Sequence, residues 1–98
     1  LRAGENVYGA EVEAAIYEQP SVYEAAVFGI PHDRLGEEVA VAIYPKPGHS
    51  VNPAELVEFL KEHLAGFKIP THVVITEDPL PRNAAGKFLK RELRDLID

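Results

Sequence analysis

The sequence predicts an α+β domain with a small central sheet of about three strands, largely antiparallel, flanked by three helices in the order α-β-β-α-β-α. Three observations predict this class. Apolar residues recur at helical spacing in three segments. Three shorter runs, rich in Val, Ile and aromatic residues, are typical of strands. Pro and Gly residues separate the segments from one another.

The three predicted helices follow from apolar periodicity and from end signals. The first covers residues 10–19 and stops before Pro20. The second begins at the capping residue Asn52 and is expected to end at Gly66. The third follows a loop of residues 80–86. The apolar stripes are Val12, Ala15 and Ile16; Leu56, Phe59, Leu60 and Leu64; and Leu89, Leu93, Leu96 and Ile97.

The three predicted strands cover residues 22–30, 39–44 and 72–76. The first has apolar side chains on both faces, which predicts burial on both sides of the sheet. We expect the second strand to pair antiparallel with the first across the polar connection of residues 31–36. The predicted faces of the first strand are Val22, Ala26, Phe28 and Ile30 against Tyr23, Ala25 and Val27.

Composition narrows the class of protein. With 98 residues, 46% of them hydrophobic, the chain fits one small domain with a single core and excludes disorder. No segment reaches the roughly 18 apolar residues of a membrane span. The absence of cysteine excludes disulfides and thiolate metal sites and favours a cytoplasmic protein. Because no methionine precedes Leu1, we expect a part of a longer protein.

The net charge of −6 is unevenly distributed. Residues 1–79 hold five Lys/Arg against thirteen Asp/Glu, a net of −8, whereas residues 80–98 hold five against three, a net of +2. A nucleic-acid binder carries basic charge over a whole face. The pattern therefore predicts a local anionic target and no nucleic acid.

Residues 80–93 carry the strongest functional signal. The turn formers Pro81, Asn83 and Gly86 precede Lys87, and an amphipathic segment follows. Glycine beside lysine indicates a mobile backbone that presents a cation at the end of a loop. Lys87 is therefore the candidate functional residue. The remaining basic side chains of the last helix are interpreted as a solvated face: Lys90, Arg91 and Arg94.

Spacing excludes three other kinds of site. A phosphate-binding loop would need Gly at position 81 and Ser or Thr at position 88, which hold Pro81 and Phe88. Ser21 and Ser50 lie outside any nucleophile-elbow pattern. The histidines lack the spacing that brings two ligands onto one helix face, so no metal site is predicted. They are His32, His49, His63 and His72.

Motifs at both ends of the chain resemble one known family. Residues 2–8, Arg-Ala-Gly-Glu-Asn-Val-Tyr, with Glu-Val-Glu at 11–13, resemble the segment after the hinge of adenylate-forming enzymes. Residues 81–93, Pro-Arg-Asn-Ala-Ala-Gly-Lys-Phe-Leu-Lys-Arg-Glu-Leu, resemble the last motif of that superfamily. Residues 27–37 and 67–70 also resemble segments of that superfamily in residue pattern and in spacing. Acyl-CoA synthetases, peptide-synthetase adenylation domains and luciferases belong to it, and the chain is most similar to fatty-acyl and aryl-acid CoA ligases.

The resemblance implies a C-terminal swinging domain, whose large N-terminal partner and hinge are expected to precede Leu1. In this superfamily a carboxylic acid and ATP give an acyl-adenylate, and CoA then displaces AMP. The small domain rotates between the two steps and presents a different face each time. ATP and CoA are the implied substrates, with Mg²⁺ bound mainly through the partner domain. Residues 1–98 alone are expected to be inactive.

The resemblance also assigns roles to residues. Lys87 becomes the lysine of the adenylation step. Leu35 and Phe67 are candidates for contacting the CoA nucleotide by packing, and Lys68 by charge. Residues expected to line the pantetheine tunnel are Ala3, Gly4, Glu5 and Asn6. The family usually has Gly where Ala3 stands and often Pro where Gly9 stands, so the tunnel is expected to be narrower and the first helix less rigid at its start.

Lys87 is also a candidate for regulation. The flanking basic residues resemble the site at which bacterial acyltransferases acetylate such synthetases, so Lys87 is a candidate for acetylation and for removal of the group by a deacetylase. Fatty-acid metabolism is the expected context. The alternatives are another adenylate-forming enzyme, such as a carrier-protein ligase or a peptide-synthetase adenylation domain, and a standalone binding module with a basic helix.

Overall fold

The computed structural model describes residues 9–32 and 36–97. Within them, three helices and three strands follow one another in the predicted order, which confirms the α+β class. The elements are α1 (Gly9–Ile16), β1 (Val22–His32), β2 (Gly36–Pro45), α2 (Pro53–Lys61), a 3₁₀ turn (Gly66–Lys68), β3 (His72–Ile75) and α3 (Lys90–Arg94).

The three strands form one mixed sheet in the order β1-β2-β3. β1 and β2 pair antiparallel from His32 opposite Gly36 to Val22 opposite Pro45, as predicted. β3 pairs parallel to β2 over four residues, from Ala40 opposite His72 onward. The parallel pair arises because α2 lies between β2 and β3 in the chain, and a helical crossover returns the next strand in the same direction.

The helices are shorter than their periodicity predicts. α1 ends at Ile16 because the amides of Glu18 and Gln19 bond three residues back, which tightens the chain before Pro20. The predicted cap of α2 is confirmed, since the Asn52 side chain accepts a hydrogen bond from the Glu55 amide at 3.0 Å. That helix ends at Lys61 rather than at Gly66, after which the chain again bonds three residues back.

α3 differs most from its prediction, because it spans only Lys90–Arg94. The next three amides all bond three residues back, so the chain turns more tightly than an α-helix. Leu93 and Ile97 still pack on the sheet, but the tighter turn leaves Leu96 47% exposed. The assignment of Leu96 to the apolar stripe is therefore wrong. No helix in residues 9–32 or 36–97 is long and apolar enough to cross a membrane.

The sheet is buried on both faces, as β1 predicted. Helices α1 and α2 pack on the face that we call the α1–α2 face, while α3 and residue 80 pack on the opposite, α3 face. The α1–α2 face buries Val12, Ala15, Ile16, Val22, Ala25, Val27, Val39, Val41, Ile43, Leu56 and Leu60. The α3 face buries Ala26, Phe28, Ala40, Ala42, Leu80 and Leu93.

One residue of β1 lies on a different face from its prediction. Val22 joins Ala25 and Val27 on the α1–α2 face, although strict alternation places it with Ala26. The pairing register shifts between Val22 and Glu24, and such an irregularity reverses the facing of the residues before it.

Side chains of α1 and of Tyr17, the residue that follows it, cover the outer edge of β1. The Ala25 amide donates to the Tyr17 hydroxyl at 2.8 Å, and the Val27 amide donates to a Glu13 carboxylate oxygen at 2.9 Å. Because β1 is an edge strand, these amides would otherwise be available to another chain. The first helix thus contributes polar as well as apolar contacts to the sheet.

Candidate functional site

Residues 81–89, which we call the Lys87 turn, fold back on themselves like a small hairpin. Arg82 and Phe88 form an antiparallel bridge. The Asn83 amide donates to the Lys87 carbonyl at 2.9 Å. The Lys87 side chain is exposed, and among the described residues its ammonium has no ion-pair partner. The turn therefore presents one unneutralised cation to the outside.

Asn83 and Gly86 determine the shape of the turn. The Asn83 side-chain oxygen accepts from the amides of Ala85, at 2.9 Å, and Lys87, at 3.0 Å. The Gly86 amide donates to the Asn83 carbonyl, and Gly86 has a φ of +85°, which residues with a Cβ rarely adopt. The glycine that we interpreted as a source of mobility supplies a left-handed conformation inside a hydrogen-bonded turn.

A buried carboxylate in the sheet holds this turn. Glu24 is the one buried charged residue among those described, and it lies on the α3 face opposite Tyr44. One of its oxygens accepts from the Leu80 amide at 2.8 Å. The other accepts from the Nε and Nη2 atoms of Arg82, at 3.2 and 2.9 Å. The pair satisfies a charge that would be costly to bury alone.

The Arg82 guanidinium links Glu24 to the far side of the turn. Its Nη1 donates to the Gly86 carbonyl at 2.7 Å, and its Cζ atom lies 4.2 Å from the centre of the Phe88 ring. Our sequence reasoning missed both Glu24 and Arg82. A signal was present for Glu24, since a carboxylate inside a strand with two apolar faces must find a buried partner.

The second predicted group, Phe67 and Lys68, lies in the 3₁₀ turn. Lys68 Nζ is 2.7 Å from a Glu11 carboxylate oxygen of α1, so part of its charge is already neutralised. Phe67 is 67% exposed, and Lys68 Nζ lies 5.6 Å from the centre of its ring. The two groups are attached to opposite faces of the sheet, since α1 packs on the α1–α2 face and the Lys87 turn on the α3 face.

The other predicted site residues lie outside the described residues: Ala3, Gly4, Glu5, Asn6 and Leu35. In the part of the chain that the structure does describe, no group of three or more His, Cys, Asp or Glu side chains could hold a metal ion.

Comparison with known proteins gives the family. The sequence model described as "AMP-binding enzyme C-terminal domain" matches residues 11–87. The chain belongs to this family. The match covers Glu24 and the Lys87 turn up to Lys87 itself. The recognition of the adenylate-forming superfamily is thereby confirmed.

Relatives of this AMP-binding C-terminal domain include ligases of several kinds. The chain is 46% identical over 95 residues to the fatty acid–acyl-carrier-protein ligase ScoC of Streptomyces coeruleorubidus, covering 97% of the chain and 18% of that protein. It is 43% identical over 97 residues to the 2-succinylbenzoate–CoA ligase of Geobacillus kaustophilus, covering 99% and 20% respectively. The chain thus spans about a fifth of the curated relatives that it matches.

Solved structures agree with the sequence relatives. Apo MatB from Rhodopseudomonas palustris superposes with a TM-score of 0.83 at 40% identity, over 92% of this chain and 18% of that one. The amide bond synthetase McbA from Marinactinospora thermotolerans superposes with a TM-score of 0.82 at 33% identity, with the same coverage. The domain therefore has the fold of the C-terminal domains of adenylate-forming enzymes.

Proposed function

We propose that this domain supplies Lys87 to the adenylation half-reaction of an ATP-dependent acyl-CoA synthetase. In that step a carboxylate oxygen attacks the α-phosphorus of ATP, and the bond from that phosphorus to pyrophosphate breaks. Negative charge builds on the phosphoryl oxygens, and a positioned ammonium stabilises it without a proton transfer. At ~4 Å and an effective dielectric near 20 the attraction is roughly 4 kcal/mol, on the order of a thousandfold in rate.

The observation that carries the proposal is the combination of an exposed ammonium with a backbone held by hydrogen bonds. The Lys87 side chain projects into solvent, while its own amide and carbonyl are both bonded to Asn83. A catalytic charge must reach its target in a defined geometry. A cation on a fixed turn fits a role in which its target lies on another domain.

We further propose that the α1–α2 side of the domain serves the second half-reaction. There the CoA thiol attacks the acyl carbonyl, the C–S bond forms, the thiol proton is released and AMP leaves with the oxygen. Residues 3–6, Leu35, Phe67 and Lys68 are the proposed contacts with CoA. Attachment of Lys87 and Phe67 to opposite sheet faces supports a rotation of the domain between the two steps.

The remaining parts of the proposed enzyme lie outside the domain. An N-terminal domain would hold the carboxylic acid, ATP and the Mg²⁺ that accompanies ATP. We place the enzyme in the cytoplasm. The 98-residue chain by itself should form no acyl-adenylate, and adenylate formation by it would contradict the proposal.

The test is a comparison of the two half-reactions in the full-length enzyme. Lys87→Ala should lower ATP–pyrophosphate exchange by on the order of a thousandfold. The same variant should convert supplied acyl-adenylate to thioester within about twofold of the wild-type rate. Arg91→Ala removes an exposed charge from the same segment and should change neither rate. Equal losses in both half-reactions of Lys87→Ala would make Lys87 a structural residue.

Lys87 is also the proposed site of control by acetylation. Its ammonium is exposed and unpaired among the described residues, so an acetyltransferase could reach it. Acetylation removes the charge and should silence adenylation while leaving the thioester step intact, and a deacetylase should restore it. Mass spectrometry after incubation with acetyltransferase and acetyl-CoA should find the modification on Lys87. An unmodified Lys87 would contradict this part of the proposal.

A second candidate is a ligase that transfers the acyl group to a carrier protein. It is favoured by the 46% identity to the carrier-protein ligase ScoC. Lys87 would have the same role, and only the thiol acceptor would differ. Supplying the full-length enzyme with CoA in one assay and a phosphopantetheinylated carrier protein in another separates the two candidates by the thioester that forms.

A further inference from the structure

The Glu24 carboxylate is held by hydrogen bonds to both of its oxygens. Glu24 Oε1 accepts from the Leu80 amide, and Oε2 accepts from two nitrogens of Arg82. The carboxylate is buried in the sheet, so its movement would break three hydrogen bonds, one of them to the buried Leu80 amide. Glu24 is therefore a rigid anchor on the α3 face.

Arg82 connects the Glu24 carboxylate to the peptide unit between Gly86 and Lys87. The Gly86 carbonyl accepts from Arg82 Nη1 at 2.7 Å, and the Lys87 amide donates to the Asn83 side chain at 3.0 Å. These two groups belong to one planar peptide unit, so its orientation is held from both sides. The orientation of this peptide sets the direction in which the Lys87 side chain leaves the backbone.

Because Gly86 is flexible, its conformation depends on these two hydrogen bonds, which we call the bracing of the turn. Gly86 has no Cβ to restrict its dihedral angles, and its φ of +85° lies in a region that glycine leaves as readily as it enters. Hydrogen bonds from outside the residue must hold the conformation. Of the two that hold the Gly86–Lys87 peptide, only the bond from Arg82 leads back to the buried sheet.

We propose that Arg82 is a positioning residue for Lys87, and that Glu24 acts through Arg82. The inference rests on the proposed adenylation role of Lys87. Without the bracing the ammonium samples a wider set of positions, and fewer of them stabilise the developing charge. Since a misplacement of about 1 Å can cost roughly a hundredfold, Arg82→Ala should lower the adenylation kcat by between about ten- and a hundredfold while the KM for ATP changes little.

The test is a double-mutant cycle in the full-length enzyme. The adenylation kcat is measured for the wild type, Arg82→Ala, Lys87→Ala and the double variant. If Arg82 acts through Lys87, its substitution has no further effect once Lys87 is alanine. Losses that multiply in the double variant would show that Arg82 acts independently and would overturn the proposal.

Two further variants separate positioning from general damage. Glu24→Gln keeps an acceptor for the Leu80 amide but removes the charge that holds Arg82, so it should give a smaller loss that also vanishes in the Lys87→Ala background. Arg91→Ala removes a guanidinium that does not reach the turn and should match the wild type. A loss in Glu24→Gln that persists in Lys87→Ala would overturn the role given to Glu24.

Hydrogen exchange gives a readout that does not depend on activity. In Arg82→Ala the amide of Lys87 should exchange faster, while amides in β2 remain as protected as in the wild type. Unchanged protection of Lys87 would overturn the positioning role even where Lys87→Ala abolishes adenylation. If Lys87→Ala leaves adenylation unchanged, the proposed function itself is wrong, whatever Arg82→Ala does to hydrogen exchange.

Discussion

The two faces of the sheet bury different kinds of side chains. The α1–α2 face buries branched side chains of both helices and both long strands, among them Ile16, Leu56 and Leu60. The strands contribute three buried alanines and Phe28 to the α3 face, and this face also buries one carboxylate. Burial of apolar side chains holds the first face together. Residues 80–93 pack on the second face through Leu80, Phe88 and Leu93, and hydrogen bonds to Glu24 hold the Lys87 turn there.

The contrast separates the packing that stabilises the domain from the contacts that position Lys87. Substitutions on the α1–α2 face should affect folding far more than they affect the geometry of Lys87. Substitutions on the α3 face should affect stability moderately and adenylation strongly. The four changes below probe that separation in order of decreasing effect on the free energy of unfolding.

The largest loss of stability is expected from Leu60→Ala on the α1–α2 face. Leu60 is fully buried between α2 and the sheet, so truncation removes buried surface and leaves a cavity. The free energy of unfolding of the domain, measured with urea, should fall by about 2–5 kcal/mol. Leu96→Ala is the matched control, since Leu96 is half exposed and should change stability by less than about 0.5 kcal/mol. Equal effects would contradict the assigned core.

The next effect is expected from Glu24→Ala on the α3 face. The substitution leaves the buried Leu80 amide without an acceptor and Arg82 without its carboxylate. The free energy of unfolding should fall by about 1–3 kcal/mol. The fall should be smaller in Glu24→Gln, because glutamine keeps an acceptor for the Leu80 amide. A loss in Glu24→Gln as large as that in Glu24→Ala would indicate that the charge, and not the acceptor for Leu80, dominates.

Gly86→Ala should lower the free energy of unfolding by less than Glu24→Ala does, and Gly48→Ala is its control. A Cβ at Gly86 or at Gly48 would meet no atom within 4 Å, and both residues have positive φ, +85° and +79°. Each substitution should therefore cost only the backbone strain, about 1–2 kcal/mol by urea denaturation. In the full-length enzyme only Gly86→Ala should lower adenylation. Reduced adenylation in Gly48→Ala would show that lost stability, not the turn, explains the effect.

The smallest effect is expected from Tyr17→Phe at the edge of β1. The variant removes the hydroxyl that accepts from the Ala25 amide, at a cost of about 1 kcal/mol by urea denaturation. Tyr23→Phe is the control, because Tyr23 is 59% exposed and should be neutral. A changed adenylation rate in stably folded Tyr17→Phe enzyme would contradict the separation between packing on the α1–α2 face and the positioning of Lys87.

Local patterns in the sequence predicted the elements and the candidate residue. Apolar patterns located all three strands, the Asn52 cap located the start of α2, and the turn formers before Lys87 marked its loop. The tight turn after α3 was not predictable, since Leu96 fits the helical stripe and only the i→i+3 bonds displace it. The register shift that moves Val22 likewise depends on its pairing with β2.

Local sequence patterns could not predict which residues hold the Lys87 turn. Glu24 and Arg82 are 58 residues apart in the chain, and their contact depends on how the chain crosses the sheet between them. The sequence could show that Glu24 needs a partner, but five basic residues of the C-terminal stretch were candidates. The parallel pairing of β3 has the same origin, because it depends on the path through α2.

In the proposed function Lys87 serves adenylation and not the thioester step. Its most direct test is the ratio of the two half-reaction rates in full-length Lys87→Ala enzyme, relative to the wild type. We expect the adenylation rate to fall by on the order of a thousandfold relative to the thioester rate. A ratio that stays at the wild-type value, whether both rates fall together or neither falls, would contradict it.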